Sequence, residues 1–370
     1  MRLFHRRIQK GGDKVNFAGI ITAAGLSSRM GDFKPLLKIN GLPMIAHTVM
    51  SMKNAGLSPI CVVTGHRGDE IKTALSDFDV IFAENENYAS SDMLTSVKSG
   101  LSKVKDNDGF FLLPGDMPLI PPSTFKAVLS AKGDYIVPTT EGKNAHPPLI
   151  KKACFDAILN FCGDGGLPKA LADFEKITVE AGDADSNRDA DFKHEFEKIA
   201  ELGKKRLGIS EDLCAKLLKD AGTPMHIIAH CASVGKLSQH MAKKLTEHGY
   251  FIDILLCKSA GALHDIKRLE KMHAEAGGDY LRTLGYNAIA DIVSHHMTCE
   301  GMPEDFNETT IVFLADKLMR ETEFVTPDVR YAPALSKFPA DTEVGKRIRN
   351  DLRFSEMLYE KYLRLTGDNL

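Results

Sequence analysis

The segment Gly19-Ile20-Ile21-Thr22-Ala23-Ala24-Gly25-Leu26-Ser27-Ser28-Arg29-Met30-Gly31-Asp32-Phe33-Lys34-Pro35-Leu36-Leu37 decides how the first half of the chain is read. It opens as an Ile-rich apolar run suited to a buried strand. It then breaks into small residues and a pair of cations. Small residues let backbone amides approach a ligand, and successive exposed amides form an anion-binding nest. Arg29 offers a planar fork for phosphate and Lys34 a point charge. A loop of this composition directly after a strand reads as a nucleotide phosphate site. The alternative from spacing alone is a plain strand-to-helix connection with two solvated cations. Two better-known phosphate loops are excluded, because no Gly-x-Gly-x-x-Gly occurs here and Gly31 is followed by Asp-Phe-Lys rather than Lys-Ser/Thr.

Outward from this segment, strand-like runs alternate with helical patterns up to about Val179. The strand candidates are Ala18–Ala23, Pro59–Thr64, Val80–Ala83, Phe110–Leu113, Tyr135–Pro138 and Ile177–Glu180. Helical patterns fall at Met44–Asn54, Asp69–Leu75, Met93–Lys103, Ser123–Ser130 and Lys151–Phe161. Such alternation predicts an α/β, Rossmann-like domain with a mostly parallel sheet and helices on both faces. Ligands of these sheets bind beyond the carboxyl ends of the strands. Phe110-Phe111-Leu112-Leu113-Pro114-Gly115-Asp116-Met117-Pro118-Leu119 delivers one carboxylate, Asp116, to that place. A carboxylate at a strand tip suits Mg²⁺, which takes one or two carboxylates plus phosphate oxygens and waters. Gly-Asp-x-Pro also favours an Asx-turn.

The loop Ala-Ala-Gly-x-Ser-x-Arg-Met-Gly with Lys34 resembles the signature of the molybdopterin-type nucleotidyltransferases, and Asp116-Met117-Pro118-Leu119 resembles their metal motif. The resemblance implies transfer of a nucleoside monophosphate from an NTP to a phosphorylated acceptor. It implies that Ala23, Ala24, Gly25, Ser27, Ser28, Arg29 and Lys34 hold the nucleotide, with Arg29, Lys34 and Asp116 catalytic and Mg²⁺ on Asp116. Ser90-Ser91-Asp92-Met93-Leu94-Thr95-Ser96 opens a helix; Ser96 is a base or ribose contact, or Ser91 or Asp92 simply caps the helix. Asn144-Ala145-His146-Pro147-Pro148-Leu149-Ile150 and Gly163-Asp164-Gly165-Gly166 are similar to family elements beside the acceptor. Gly182-Asp183-Ala184-Asp185-Ser186-Asn187 resembles an Asp-x-Asp-Thr-Pro element in which a second carboxylate nears the metal, with Asn187 in place of the usual Pro. Asp183 is taken as that second ligand, with Asp185 as the other choice. Ala23-Ala24-Gly25, rather than Ala-Gly-Gly, leans toward CTP over GTP within this family.

The 370 residues suggest two or three domains. A net charge of −3 gives no reason to expect nucleic acid or an anionic membrane as partner. No apolar run is long enough to span a bilayer. The seven Cys show no Cys-x-x-Cys pair, which argues against a zinc ribbon and for reduced thiols in a cytoplasmic setting. Residues 1–16 read as a mobile basic tail, with Arg2, Arg6, Arg7, Lys10 and Lys14 and no signal-peptide core.

Past about Ala200 the strand pattern stops. Glu211–Asp220, Met225–His248, Ile252–Gly261, Gly277–Leu284, Ala288–His295 and Thr309–Arg320 read as helices, which predicts a separate all-α domain. His264-Asp265 ends an apolar run, with His230 before it and Asp316 after it. That set reads as a divalent-metal site built from several helices. The order His…His-Asp…Asp resembles the HD phosphohydrolase superfamily, and adding His273, His295 and His296 resembles its binuclear members. The resemblance implies Mn²⁺, Fe²⁺ or Zn²⁺ and makes Asp265 catalytic. Lys267 departs from the Gly of many binuclear members, and the Asp265-to-His273 segment is short. Zinc deamination is argued against because the pattern of His-x-Glu together with Pro-Cys-x-x-Cys does not occur. Apolar residues from Val344 to Leu363 amid charges predict amphipathic helix packed on this domain or on a second subunit, as in a homodimer.

The expected organisation is therefore 17–200 nucleotidyltransferase, 209–335 HD domain and 336–370 a helical extension. The expected function is bifunctional: cytidylyl transfer to a molybdopterin-like acceptor and metal-dependent phosphate-ester hydrolysis. The alternatives are a sugar or polyol phosphate acceptor, or an HD unit that senses a metal without turnover.

Overall fold

The computed structural model describes residues 16–26, 32–181, 185–188 and 192–370. The expected basic tail lies outside the described residues, as do Ser27, Ser28, Arg29 and Asp183. The chain divides into two compact units, Met1–Gly203 and Lys204–Leu370.

In the first unit the strands are β1 Phe17–Ala23, β2 Lys38–Ile39, β3 Leu42–Pro43, β4 Ile60–Thr64, β5 Ile81–Glu84, β6 Gly109–Pro114, β7 Tyr135–Thr140, β8 Lys143–Asn144, β9 Leu149–Lys151 and β10 Lys176–Glu180. The helices are α1 Met44–Asn54, α2 Gly68–Ala74, α3 Met93–Val104, α4 Pro122–Ser130, α5 Phe155–Asn160, α6 Gly166–Ala170 and α7 Lys193–Arg206, whose last three residues belong to the second unit. The main sheet runs β10-β7-β9-β6-β1-β4-β5, with β8 on β7. β1 lies between β4 and β6, parallel to both, in the register Ile20↔Cys61 and Ile20↔Leu112. This central place explains its composition: a strand covered on both faces reads as a continuous apolar run. Ile20, Cys61, Phe110 and Leu112 pack with Val97 and Leu101 of α3 and Ile158 of α5 in one core layer.

Two features differ from the sequence expectation. β9 enters the sheet antiparallel between β6 and β7, pairing Ile150 with Phe110 and Tyr135. The expected helix Lys151–Phe161 is therefore shorter: Lys151 ends a strand, Lys152–Cys154 form a 3-10 turn, and α5 starts at Phe155. Three residues are too few for a periodicity to register. α7 is the second feature. Its residues are mostly charged, and Asn40 Nδ2 donates to its Gly203 carbonyl at 3.0 Å.

The second unit is helical: α8 Glu211–Asp220, α9 Met225–Glu247, α10 Ile254–Leu263, α11 His273–Thr283, α12 Asn287–His295, α13 Glu308–Lys317, the hairpin β11 Met319–Arg320 and β12 Glu323–Phe324, α14 Pro327–Lys337 and α15 Glu343–Thr366. α9 and α10 approach closely because both contacts are glycine. A Cβ on Gly235 would lie 2.9 Å from the Lys258 carbonyl, and one on Gly261 would lie 2.7 Å from Ser238 Oγ. α15 packs on α9 and α13 of its own chain, burying Leu358 and Tyr362 and setting Phe354 edge-on to Phe313. No helix among the described residues is long and apolar enough to cross a membrane.

Candidate active sites

The first site forms where β1 and β6 end side by side. Thr22 pairs with Pro114, so the small residues after β1 and the acid after β6 emerge together. The Gly115 amide donates to the Thr22 carbonyl at 2.9 Å. A Cβ on Gly115 would sit 3.2 Å from that of Ala23, which explains glycine before the acid. Lys34 follows in a 3-10 turn whose Pro35 presets the backbone. Its ammonium is buried and lies 3.4 Å from Asp116 Oδ2. One cation–carboxylate pair thus ties this 3-10 turn to the acid at the tip of β6.

A cleft of about 300 Å³ opens over this pair, lined by Ala23, Ala24, Gly25, Lys34, Ser96 and Asp116 among others. Its far wall combines Ser91 and Ser96, read from sequence, with Asn85 and Tyr88, which were not. Asn85 is buried, accepts from the Asn87 amide through Oδ1, and donates to Ser91 Oγ at 2.9 Å and Ser96 Oγ at 3.0 Å. Tyr88 and Ser91 complete that wall. A lone Asn after a strand carries no signal until the fold turns α3 toward it. Asp92, not Ser91, caps α3: the Thr95 amide donates to its Oδ1 at 3.1 Å. Gly65 lets the loop after β1 come close, since its Cβ would fall 2.9 Å from the Ala24 carbonyl. The His146 amide donates to Asn187 Oδ1 at 3.0 Å, joining the Pro-containing loop to the segment after β10. Asp185 pairs with Arg188 at 2.9 Å.

The second site sits among α9, α10, α11, α12 and α13. His230, His264, Asp265, His296 and Asp316 are all buried, and His273 is half-buried beside them. His230 Nε2 lies 3.2 Å from Asp316 Oδ1, and His264 Nε2 lies 3.5 Å from the same oxygen. Asp265 Oδ1 lies 3.1 Å from His273 Nε2 and 3.6 Å from His296 Nε2. Three overlapping sets have donor atoms within 4.8 Å of one another: His230/His264/Asp265, His264/His296/Asp316 and Asp265/His273/His296.

These residues fit a metal. Nδ1–H of His230 donates to the Glu321 carbonyl at 2.7 Å, and Nδ1–H of His264 to that of Gly261 at 2.8 Å. Each bond takes up Nδ1 and leaves Nε2 as the ring nitrogen turned inward, the one a metal would take. His264 Nε2 and Asp265 Oδ1 are buried without a hydrogen-bond partner among the described residues. Burial costs free energy for such atoms unless a cation meets them. Burial opposes charge on Asp265 and Asp316. Yet Lys317 holds Asp316 well below the usual carboxylate range. Burial also lowers the His296 pKa, keeping that ring neutral.

His295 is a correction. It is exposed, its Nδ1–H donates to the Asp291 carbonyl at 2.7 Å, and it joins none of the three sets. Adjacent residues on a helix point about 100° apart, so only one of His295 and His296 can face the cluster. Lys317, in contrast, is buried with Nζ 2.7 Å from Asp316 Oδ2.

Residues 19–179 match the MobA-like NTP transferase domain. A molybdenum cofactor cytidylyltransferase of Escherichia coli (strain K12) is 34% identical over 183 residues, covering 48% of this chain and 92% of that protein. The chain belongs to the MobA-like NTP transferase family. A probable molybdenum cofactor guanylyltransferase of Natranaerobius thermophilus is 29% identical over 131 residues, covering 34% of this chain and 62% of that protein. A bifunctional protein GlmU of Cupriavidus pinatubonensis is 32% identical over 117 residues, and there the match spans 31% of this chain and only 25% of the relative. A solved nucleotidyl transferase from Methanothermobacter thermautotroptrophicus aligns over 52% of this chain and 98% of its own, at 24% identity and a TM-score of 0.46. Residues 227–321 match the HD domain. The MobA-like half thus holds the cleft with Lys34 and Asp116, and the HD half holds the His/Asp cluster.

Proposed function

We propose that the MobA-like unit transfers a nucleotidyl group, CMP from CTP, to a molybdopterin-like phosphorylated acceptor, and that the HD unit hydrolyses a phosphate ester. The observation that carries the first half is the buried Lys34 set against Asp116 at the tip of β6, in the cleft that also holds Ala23, Ala24 and Gly25. An acceptor phosphate oxygen attacks the α-phosphorus, the bond to the β-phosphate oxygen breaks, and pyrophosphate leaves. The nucleophile is already anionic, so the work is positioning and charge neutralisation. Asp116 would hold Mg²⁺ with Asp183 as second carboxylate, and the ion when bound neutralises triphosphate charge. Lys34 and Arg29 neutralise the remaining phosphate oxygens. The amides around Gly25 to Ser28 would cradle them, and Ser96, held by Asn85, would meet the nucleoside. The cytidylyl preference is supported by Ala23-Ala24-Gly25 and by the E. coli cytidylyltransferase relative.

In the HD unit His230, His264, Asp265 and Asp316 would hold a divalent ion such as Mn²⁺, Fe²⁺ or Zn²⁺, which when bound polarises a phosphoryl oxygen and acidifies water. Lys317 holds Asp316 Oδ2 and leaves Oδ1 turned to the imidazoles. Water supplies the oxygen that bonds to phosphorus, and the ester oxygen leaves with a proton.

The test assays pyrophosphate release with CTP or GTP and phosphate release from esters, using the full chain and its Asp116→Asn and Asp265→Ala variants. Loss of one activity in each variant supports two enzymes. Transferase kinetics altered by Asp265→Ala, with no hydrolysis by the parent, would instead make the HD unit a sensor.

A further inference from the structure

We infer that Arg268 fills the second cation position of the HD cluster, so that this unit keeps one resident divalent ion and offers a guanidinium to the substrate phosphate. The inference rests on the hydrolytic reading of the HD unit and names its substrate class: a phosphomonoester, whose terminal phosphate presents several non-bridging oxygens.

Asp265 is shared by two donor sets, His230/His264/Asp265 and Asp265/His273/His296. They differ in what occupies them. In the first set no protein cation contacts His264 Nε2, which is buried and takes no hydrogen bond among the described residues. Lys317, the nearest ammonium on Asp316, engages Oδ2, while Oδ1 faces the imidazoles.

In the second set a cation is already present. Arg268 Nη1 lies 3.0 Å from His273 Nε2 and 3.6 Å from Asp265 Oδ1. A guanidinium can only donate, so His273 Nε2 is the acceptor in this contact. His296 is likewise bare at Nε2, because its Nδ1–H donates to the Val293 carbonyl at 2.7 Å. Three acceptors, Asp265 Oδ1, His273 Nε2 and His296 Nε2, therefore converge. The first two are only 3.1 Å apart. Facing lone pairs at that distance repel unless positive charge stands beside them, and Arg268 supplies it.

The neighbouring cation does not. Lys267 pairs with Glu270 at 3.2 Å and lies over the Tyr280 ring at 4.6 Å. Arg268 keeps 42% of its side chain exposed, so it reaches the cluster from the solvent side with donors to spare. A fork-shaped donor beside one divalent ion matches a dianionic terminal phosphate held by two oxygens.

The test uses the full chain carrying Asp116→Asn, so that the cleft carboxylate does not contribute, and counts Mn²⁺ ions by calorimetric titration. With Arg268 intact one ion binds per chain. Arg268→Ala or Arg268→Met admits a second, Arg268→Lys does not, and circular dichroism confirms that each is folded. Inorganic phosphate, titrated into proteins loaded with a single equivalent of Mn²⁺ so that the second position stays empty, binds Arg268→Ala about tenfold more weakly, as expected for a lost charge-assisted contact. Two ions with Arg268 intact, a single ion in both neutral variants, or unchanged phosphate binding would each overturn the inference while leaving the hydrolytic reading standing. Failure of every protein to bind Mn²⁺ would remove both.

Discussion

His47 makes the stability of the MobA-like half depend on pH in a way that can be worked through. It lies on α1, almost fully buried, and its Nε2–H donates to the Ile39 carbonyl at 2.9 Å. Burial pushes its pKa from 6.5 down to about 4, and the Ile39 carbonyl offsets only part of that. The folded state thus prefers neutral imidazole, while the unfolded chain binds a proton near pH 6.5. Stability from this group is complete above the unfolded value and is lost as pH falls toward the folded one. The shift amounts to about 3.4 kcal/mol below both values, of which about 2 kcal/mol has gone by about pH 5. His47→Gln keeps a donor for Ile39 but cannot titrate. Urea unfolding of both proteins, followed by circular dichroism, should show the variant gaining about 2 kcal/mol on the parent between about pH 7.5 and pH 5. Taking the difference cancels the other titrating groups. A difference that does not change with pH would refute the reasoning. The effect should also reach the cleft, because the segment His47 anchors follows directly on Lys34, with the Met44 amide bonded to the Leu37 carbonyl at 2.8 Å.

Other outcomes follow from the same geometry. Asp116→Asn and Lys34→Ala should each lower nucleotidyl transfer by about 100-fold or more, since each removes one charge from a site that works by electrostatics, and pyrophosphate release reads this. Adding Mn²⁺ at about 100 times its Kd should stabilise the HD unit by about 2.7 kcal/mol, and Asp316→Ala should abolish the melting shift. Gly261→Val should cost about 2 kcal/mol or more, because the new side chain meets Ser238 and Gly235 across the α9–α10 contact, and should weaken Mn²⁺ binding by moving His264 relative to His230.

Much of this molecule was legible residue by residue. The apolar run of β1, the strand delivering Asp116, and α1, α3, α8 and α9 all carry a period or a composition that local physics imposes. The loop after β1 and the His-Asp pair after α10 were readable because their chemistry is packed into neighbouring positions. β9 and α7 were not legible: one is too short to show a period, and the other is too charged to suggest a buried face. Asn85, the far wall of the cleft, gave no sign of its role, because its contacts come from a helix that starts eight residues later.

By itself, then, the sequence determined most of the strands and helices and singled out the side chains suited to phosphate and metal chemistry, since those depend on local covalent structure and near neighbours. Only the tertiary structure decided that Lys34 meets Asp116, that His296 and not His295 faces the cluster, and that Arg268 rather than Lys267 turns toward Asp265. The physical reason is that these choices depend on which direction a side chain points once distant segments have packed. Sequence spacing fixes the angle between two neighbours on a helix, but the packing of the helix selects which one looks inward.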